Sequence, residues 1–593
     1  MHPLVALLPL FFGGILSLLL GASIKTEKYA KHVALAGAIG SSLLSIYLFM
    51  QPAQSYQLTN WFSIGQYGFQ LTLSLGGANS LLLFLIAVIS PLIFFYSTGY
   101  MNVPSEQSRY YFELSLFTIS MMLLAMSGDF LTFFIAWEGL GITSYLLIGF
   151  WYQRDAPADA ARTAITTILI GDIAMLAGIL LLWSSFHSLN FSAINSAALT
   201  LSGSSTYLAV AALLILVGAF TKSAQFPFHE WLSGAMEGPT PVSAFLHSST
   251  MVKAGVFLTV LLLPLFVKLN LLWPMLLIGT ITAVIGSITA LTSDHIKKIL
   301  AYSTIEDLGL MFVAIGLNAL SAALIFFTVQ ALYKALLLMS SGTIMKANDD
   351  RTSIYRVSSF GRNRLLFVSA LIGALSISGI FPFSGFFGKV AVDSAASSNA
   401  IVYAVLTAVD FLTALYIFRW LLVPMENQKK AHQTAYSAGY SLLKKSMQIP
   451  QLVLAILIIL FSVIFFYNGV AQQANLDHSI VEMAASAFGA ITAYIMFKKA
   501  KNVLSEGSRS RKILYTGNAL NLAYLYIAKF FGLVAHAIEI FDNGLNRLFY
   551  MGSSGVMGLA GSVKIAEKGN INTYIAALAI GLILVFIILV FVP

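Results

Sequence analysis

Stretch after stretch of about twenty largely apolar residues follows one another along this chain, each long enough to cross a bilayer as a helix. Hydrocarbon offers backbone N–H and C=O groups no water to bond, so such segments must satisfy their own backbone. Composition agrees with that reading. Of 593 residues, 58% are hydrophobic and only 10% charged, against about 25% charged in a soluble protein, and the mean hydropathy is +0.85. The chain reads as an all-helical polytopic membrane protein. It holds no cysteine, which excludes an iron–sulfur cluster, a disulfide or a cysteine zinc site of its own. It also lacks a GxxxxGK[ST] phosphate loop and a GxGxxG after a strand, so a partner or an ion gradient supplies the energy.

About sixteen spans are expected, near residues 3–22, 30–50, 79–99, 110–127, 130–150, 161–184, 206–226, 241–266, 271–291, 298–318, 320–345, 365–388, 399–421, 450–468, 478–497 and 572–592. The first has neither a basic leader nor a small-residue cleavage site and is read as a span, not a removable signal. Loops after odd-numbered spans carry 24 of the 33 lysines and arginines, whereas Lys268 stands alone on the other side. The positive-inside bias therefore predicts an external N-terminus and cytoplasmic odd loops. The net charge of +9 is then a product of topology, and no nucleic-acid partner is implied.

Residues 513–571 break the up-and-down pattern. If residues 519–541 crossed the membrane, Arg547, Lys564 and Lys568 would lie outside, against the bias elsewhere. Lys529, His536, Glu539, Asn543 and Arg547 recur at helical spacing and draw one narrow polar stripe. A long helix along the cytoplasmic surface is expected, clamping neighbouring subunits.

Five ionisable residues stand inside the apolar stretches: Glu138, Lys222, His247, Lys334 and Lys389. A charge at membrane depth costs roughly 2.5 to 3.5 kcal/mol on insertion scales, and such residues mark ion or proton pathways. Two of the spans are also interrupted. Pro227 follows Lys222 in TKSAQFPFHEWL, and Gly379 and Pro382 precede Lys389 in SISGIFPFSGFFGK. Broken helices in corresponding positions of two halves point to an inverted-repeat transporter.

The segments AWEGLGITSYLLIGFW (136–151), TKSAQFPFHEWLSGAMEGPTPVSAFLHSSTMVKAG (221–255), IKKILAYSTIEDLGLMFVAIG (296–316) and YKALLLMSSG (333–342) carry a family resemblance. The chain closely resembles the antiporter-like subunits of respiratory complex I, and equally their relatives in Mrp sodium/proton antiporters and membrane-bound hydrogenases. Its extra spans at both ends and its lateral helix resemble the L-type subunit of complex I. The resemblance implies N-terminal helices at 1–109, two inverted five-helix repeats at 110–266 and 267–425, two further helices at 426–512, the lateral helix at 513–571 and an anchoring helix at 572–593. It also implies a proton path through Glu138, Asp172, Lys222, His247, Lys334 and Lys389, linked by water. Flavin and iron–sulfur clusters are expected in partner subunits, and no cofactor in this chain.

A buried lysine surrenders its charge readily, so a nearby carboxylate decides its protonation state. On that ground Glu138 is expected to pair with Lys222 as a movable switch. His247, titrating near pH 6.5 when unperturbed, can relay protons between lysines. Gln330 shares a helix face with Lys334 and stands where many relatives have a second histidine. Lys253 is expected on a different face of its helix from His247, and with the pair Glu306 and Asp307 is similar to the Mrp and hydrogenase branch. That pair either lines the cytoplasmic entrance or solvates a helix end. Asp129, Glu230 and Glu237 read as surface carboxylates near span ends. The family often has an aspartate directly after the span-12 lysine; here Val390 follows, with Asp393 one turn on. The expected function is a proton-translocating subunit of a redox-driven pump that does no redox chemistry itself. A sodium/proton antiporter subunit of the Mrp type is the alternative, against which the lateral helix and single anchor argue.

Overall fold

A computed structural model describes residues 2–21, 24–64, 67–101, 106–200, 205–358, 363–431, 444–469 and 476–499. The expected lateral helix and last span lie outside these residues. Every stretch read as a span up to residue 497 holds helix. A 3₁₀ turn, Pro3–Leu7, leads into α1 (Leu8–Leu20), followed by α2 (Ile24–Glu27) and α3 (Ala30–Phe49). An antiparallel hairpin, β1 (Gln54–Ile64) and β2 (Tyr67–Leu75), comes next. Then come α4 (Gly77–Tyr100), α5 (Gln107–Met126), α6 (Phe130–Ile148), α7 (Asp155–Phe186), α8 (Phe191–Leu199), α9 (Thr206–Lys222) and α10 (Glu230–Gly234). The middle of the chain forms α11 (Thr240–Ser248), α12 (Met251–Leu261), α13 (Leu263–Lys268), α14 (Trp273–Thr292), α15 (Ile296–Gly316) and α16 (Leu320–Ala347). After it come α17 (Arg364–Ile377), α18 (Ser384–Ala396), α19 (Ala400–Ala431), α20 (Lys445–Tyr467) and α21 (Leu476–Tyr494). Among the described residues, 12 helices are long and apolar enough to cross a membrane.

Burial is graded across these helices. The apolar windows of α11–α12, α15 and α16 are each 89% buried, against 33% for α20. His247, Lys253, Glu306, Asp307 and Lys334 lie in these most buried helices. Small residues let the central helices approach closely, as is common where helices pack in membranes. On α14, a Cβ at Gly286 would lie 2.6 Å from the backbone nitrogen of Glu306 on α15. Any larger residue there would push away the turn that carries Glu306 and Asp307.

Three interruptions shape the interior. After α9, Ala224 takes a left-handed conformation (φ 48°) and the Phe226–Pro227 peptide is cis. After α17, Gly379 takes φ 69° and Phe381–Pro382 is cis. Both breaks use the same Phe-Pro-Phe sequence, as the prolines led us to expect. A third break, between α11 and α12 at Ser249 and Thr250, contains neither proline nor glycine and was not legible beforehand.

Asp129 corrects another expectation. It is buried, not a surface carboxylate. Its side chain caps α6 by accepting from the Thr132 amide at 2.7 Å, and it ties down β2 by accepting from the Thr72 amide at 2.5 Å and the Thr72 hydroxyl at 2.7 Å. One carboxylate thus anchors the hairpin to the helix that carries Glu138. We expect Asp129→Ala to lower stability by about 2 kcal/mol, at the upper end for a lost cap, and loss of the exposed Asp159–Arg162 pair through Asp159→Ala to cost under about 0.5 kcal/mol. Thermal unfolding of the purified variants in detergent checks both values.

Candidate functional site

Lys222 and Lys389 stand beside helix interruptions, whereas Glu138, Asp172 and Lys334 lie within unbroken helices. Lys222 closes α9 and is fully buried. Its partner corrects the expectation. The ammonium lies 3.7 Å from Asp172 Oδ2 on α7 and donates to the Trp137 carbonyl at 3.0 Å; Glu138 forms no ion pair with it among the described residues. Trp137 also donates its indole N–H to Asp172 Oδ1 at 2.6 Å and lays its ring 4.7 Å from Nζ. Glu138 is half-buried beside this group and interacts electrostatically with both Asp172 and Lys222. Packing explains the choice. Gly171 lets α9 approach so closely that a Cβ there would collide with the Thr221 hydroxyl, 1.7 Å away. That contact brings Asp172 and Lys222, the neighbours in sequence, face to face.

The middle of the site holds His247, Lys253 and Gln330, all buried. His247 lies in the last turn of α11, and neither ring nitrogen has a hydrogen-bond partner among the described residues. Gln330 on α16 donates to the His247 carbonyl at 3.2 Å, across helices. Lys253, on the far side of the α11–α12 break, donates to the Phe327 carbonyl at 2.5 Å and sits 4.3 Å from the centre of that ring.

Lys334 pairs with Asp307, Nζ to Oδ2 at 2.8 Å, and donates to the Ser303 hydroxyl at 2.7 Å. Both charged residues are completely buried, as is Glu306. Glu306 and Asp307 therefore do not solvate a helix end: they lie in the middle of α15. Glu306 accepts from the Thr413 hydroxyl of α19.

Lys389 on α18 is paired with a residue the sequence reading passed over. Its ammonium lies 2.7 Å from Asp410 Oδ1 on α19. Asp410 stands alone in the apolar run VLTAVDFLTAL, and the criterion that selected Glu138 would have selected it. Asp393 and Glu482, also buried, complete the surroundings. Arg419 is a further buried cation; it donates to the carbonyls of Leu291 and Ser293 at 2.6 and 2.7 Å and pairs with Asp294 at 2.7 Å. Such an arrangement can hold, exchange and pass protons.

Removing one partner of a buried ion pair costs more than removing both. Asp307→Asn should therefore destabilise the protein by about 3 to 5 kcal/mol, whereas Asp307→Asn combined with Lys334→Met should recover most of the loss. Denaturation of the single and double variants in detergent gives the comparison.

Comparison with known proteins places this geometry. The family described as NADH:quinone oxidoreductase/Mrp antiporter, TM, matches residues 127–415, and complex I chain 5 N-terminus matches residues 61–112. The chain is 35% identical over 474 residues to NADH-quinone oxidoreductase subunit L of Campylobacter jejuni, covering 78% of each protein. It is 37% identical over 386 residues to NAD(P)H-quinone oxidoreductase chain 5 of Synechocystis sp., covering 62% of this chain and 56% of that one. In fold it is similar to a chain of the Mrp complex from Dietzia sp. DQ12-45-1b, with a TM-score of 0.72 and 24% identity over 88% of this chain and 60% of that one. A chain of the archaeal membrane-bound sulfane sulfur reductase follows, with a TM-score of 0.68 and 21% identity over 82% of this chain and 99% of that one. Those two likenesses speak to fold alone; the sequence matches make this chain a member of the NADH:quinone oxidoreductase/Mrp antiporter family of membrane proteins.

Proposed function

We propose that the chain is the proton-translocating, antiporter-like subunit of a complex I-like redox-driven pump. The observation that carries this reading is the series of three buried lysine–carboxylate pairs, Lys222–Asp172, Lys334–Asp307 and Lys389–Asp410, set on helices that break beside the first and the last. Desolvation disfavours a buried ammonium, and an adjacent carboxylate offsets that cost. Drawing the carboxylate away lets the lysine release its proton, and returning it recharges the lysine. The interrupted helices supply the mobility, and His247 with Lys253 bridges the first pair to the second. Glu138, half-buried beside Asp172, serves as the carboxylate that perturbs the first pair.

The rest of the assembly follows from this reading. Partner subunits hold the flavin and iron–sulfur clusters, and this chain transmits their work as displacement or field. The two Phe-Pro-Phe breaks support two inverted repeats, 110–266 and 267–425. The charge bias of the loops supports an external N-terminus in a prokaryotic cytoplasmic membrane. Residues 513–571 act as the clamp on neighbouring membrane subunits.

Redox-driven ion uptake by the whole complex in vesicles tests the proposal, with pH and sodium recorded together. Lys222→Ala, Asp172→Asn and Lys334→Ala should each reduce proton uptake by about tenfold or more, as expected when a proton-transfer group is lost. Undiminished pumping by all three would overturn the proton path. Sodium exchange without a redox substrate would instead identify an Mrp-type antiporter subunit.

A further inference from the structure

Two carboxylates on adjacent helices close around Lys389: Asp393, one turn beyond it on α18, and Asp410 on α19. A third arrives from α21. Ligand oxygens of Asp393, Asp410 and Glu482 all lie within 4.8 Å of one another. The three residues are 4%, 2% and 2% exposed. Lys389 occupies only Asp410 Oδ1, at 2.7 Å. Both oxygens of Glu482 have no hydrogen-bond partner among the described residues, whereas Asp393 and Asp410 interact side chain to side chain through a hydrogen bond. Ser486, one turn after Glu482 and on the same face of α21, is completely buried and likewise has an unpartnered hydroxyl.

Unpartnered buried oxygens are rare because their desolvation is not repaid by a bond. Here several converge. When all groups are ionised, the carboxylates outnumber the lysine by two charges, and each uncompensated buried ion costs several kcal/mol. Hard cations take carboxylate and hydroxyl oxygens as ligands. We propose that Asp393, Asp410 and Glu482 form a cage for a small hard metal cation, with Ser486 as a neutral oxygen and Lys389 as an internal competitor. A divalent ion would balance the charge with Lys389 in place; a monovalent ion would leave room for one proton. Glu482 lies outside the segment matched by the family, residues 127–415, so the cage is a feature that the shared segment does not complete. It goes beyond the proton-path reading, which requires only the Lys389–Asp410 pair.

Calorimetric titration of the full chain in detergent, with Na⁺ alone and Ca²⁺ alone as probes in a choline buffer, tests the cage without any redox substrate. One of the two should bind saturably at one ion per chain and release protons as it binds. Glu482→Gln and Asp393→Asn should each weaken binding by about tenfold or more, while Asp159→Asn at an exposed pair leaves it unchanged. Should either carboxamide variant unfold, Glu482→Asp keeps the charge and should retain binding. Absence of saturable binding of both ions to the wild-type chain overturns the proposal. So does binding that survives in both carboxamide variants. Loss of redox-driven pumping in a Lys222 variant with ion binding intact would separate the two readings.

Discussion

A lysine ammonium removed from water must find compensating negative charge or dipoles, and that requirement orders the interior of this protein. The structure meets it in two ways. Lys253 and Lys297 rest largely on backbone carbonyls, of Phe327 and of Met236 and Gly238 respectively, and Arg419 combines the carbonyls of Leu291 and Ser293 with Asp294. Lys222, Lys334 and Lys389 each have a carboxylate. A carbonyl belongs to a helix and keeps its dipole whatever happens around it. A carboxylate on a side chain can move or take up a proton, so the carboxylate-held lysines are the ones whose charge can be switched.

The interruptions and the close helix contacts serve the same requirement from the backbone side. Lys222 ends its helix, and the chain then turns through Ala224 and Pro227. Lys389 follows a turn whose Gly379 has no room for a Cβ, which would lie 2.7 Å from Glu482 Oε1 and 2.9 Å from Lys389 Cδ. Glycine is required there both by its positive φ and by the carboxylate packed on its bare face. Such turns free backbone groups at depth, and side chains inside the protein take some of them up: the Phe226 amide donates to the Thr282 hydroxyl at 3.0 Å, and the Ser462 hydroxyl donates to the Pro382 carbonyl.

The helices were legible because hydrophobic length alone specifies them, and so was the list of lysines, since an isolated charge in an apolar run stands out. Their partners were less so. Glu138 and Lys222 looked like a pair from the span assignments, but pairing is decided by which faces meet, and the contact at Gly171 turned Asp172 toward Lys222 instead. Asp410 was overlooked although its setting is as apolar as that of Glu138. The hairpin was missed because FQLTLSL, which alternates cleanly, lies between two spans and was passed over as a loop. Asp129 looked like a surface carboxylate because nothing in the sequence announces that a strand 57 residues earlier will need it.

Asp307 gives the middle of the site its logic. It holds Lys334 at 2.8 Å, and its charge also attracts Lys253. Lys253 forms no ion pair of its own among the described residues, and Lys334 repels it. One carboxylate thus serves two lysines, and a full charge on both leaves the interior with a cation that only a carbonyl and a ring face stabilise. His247 stands in the same region, with no hydrogen-bond partner at either ring nitrogen among the described residues and with its carbonyl accepting from Gln330 of α16. One buried carboxylate cannot fully offset two ammonium groups, so Lys253 and Lys334 compete for Asp307.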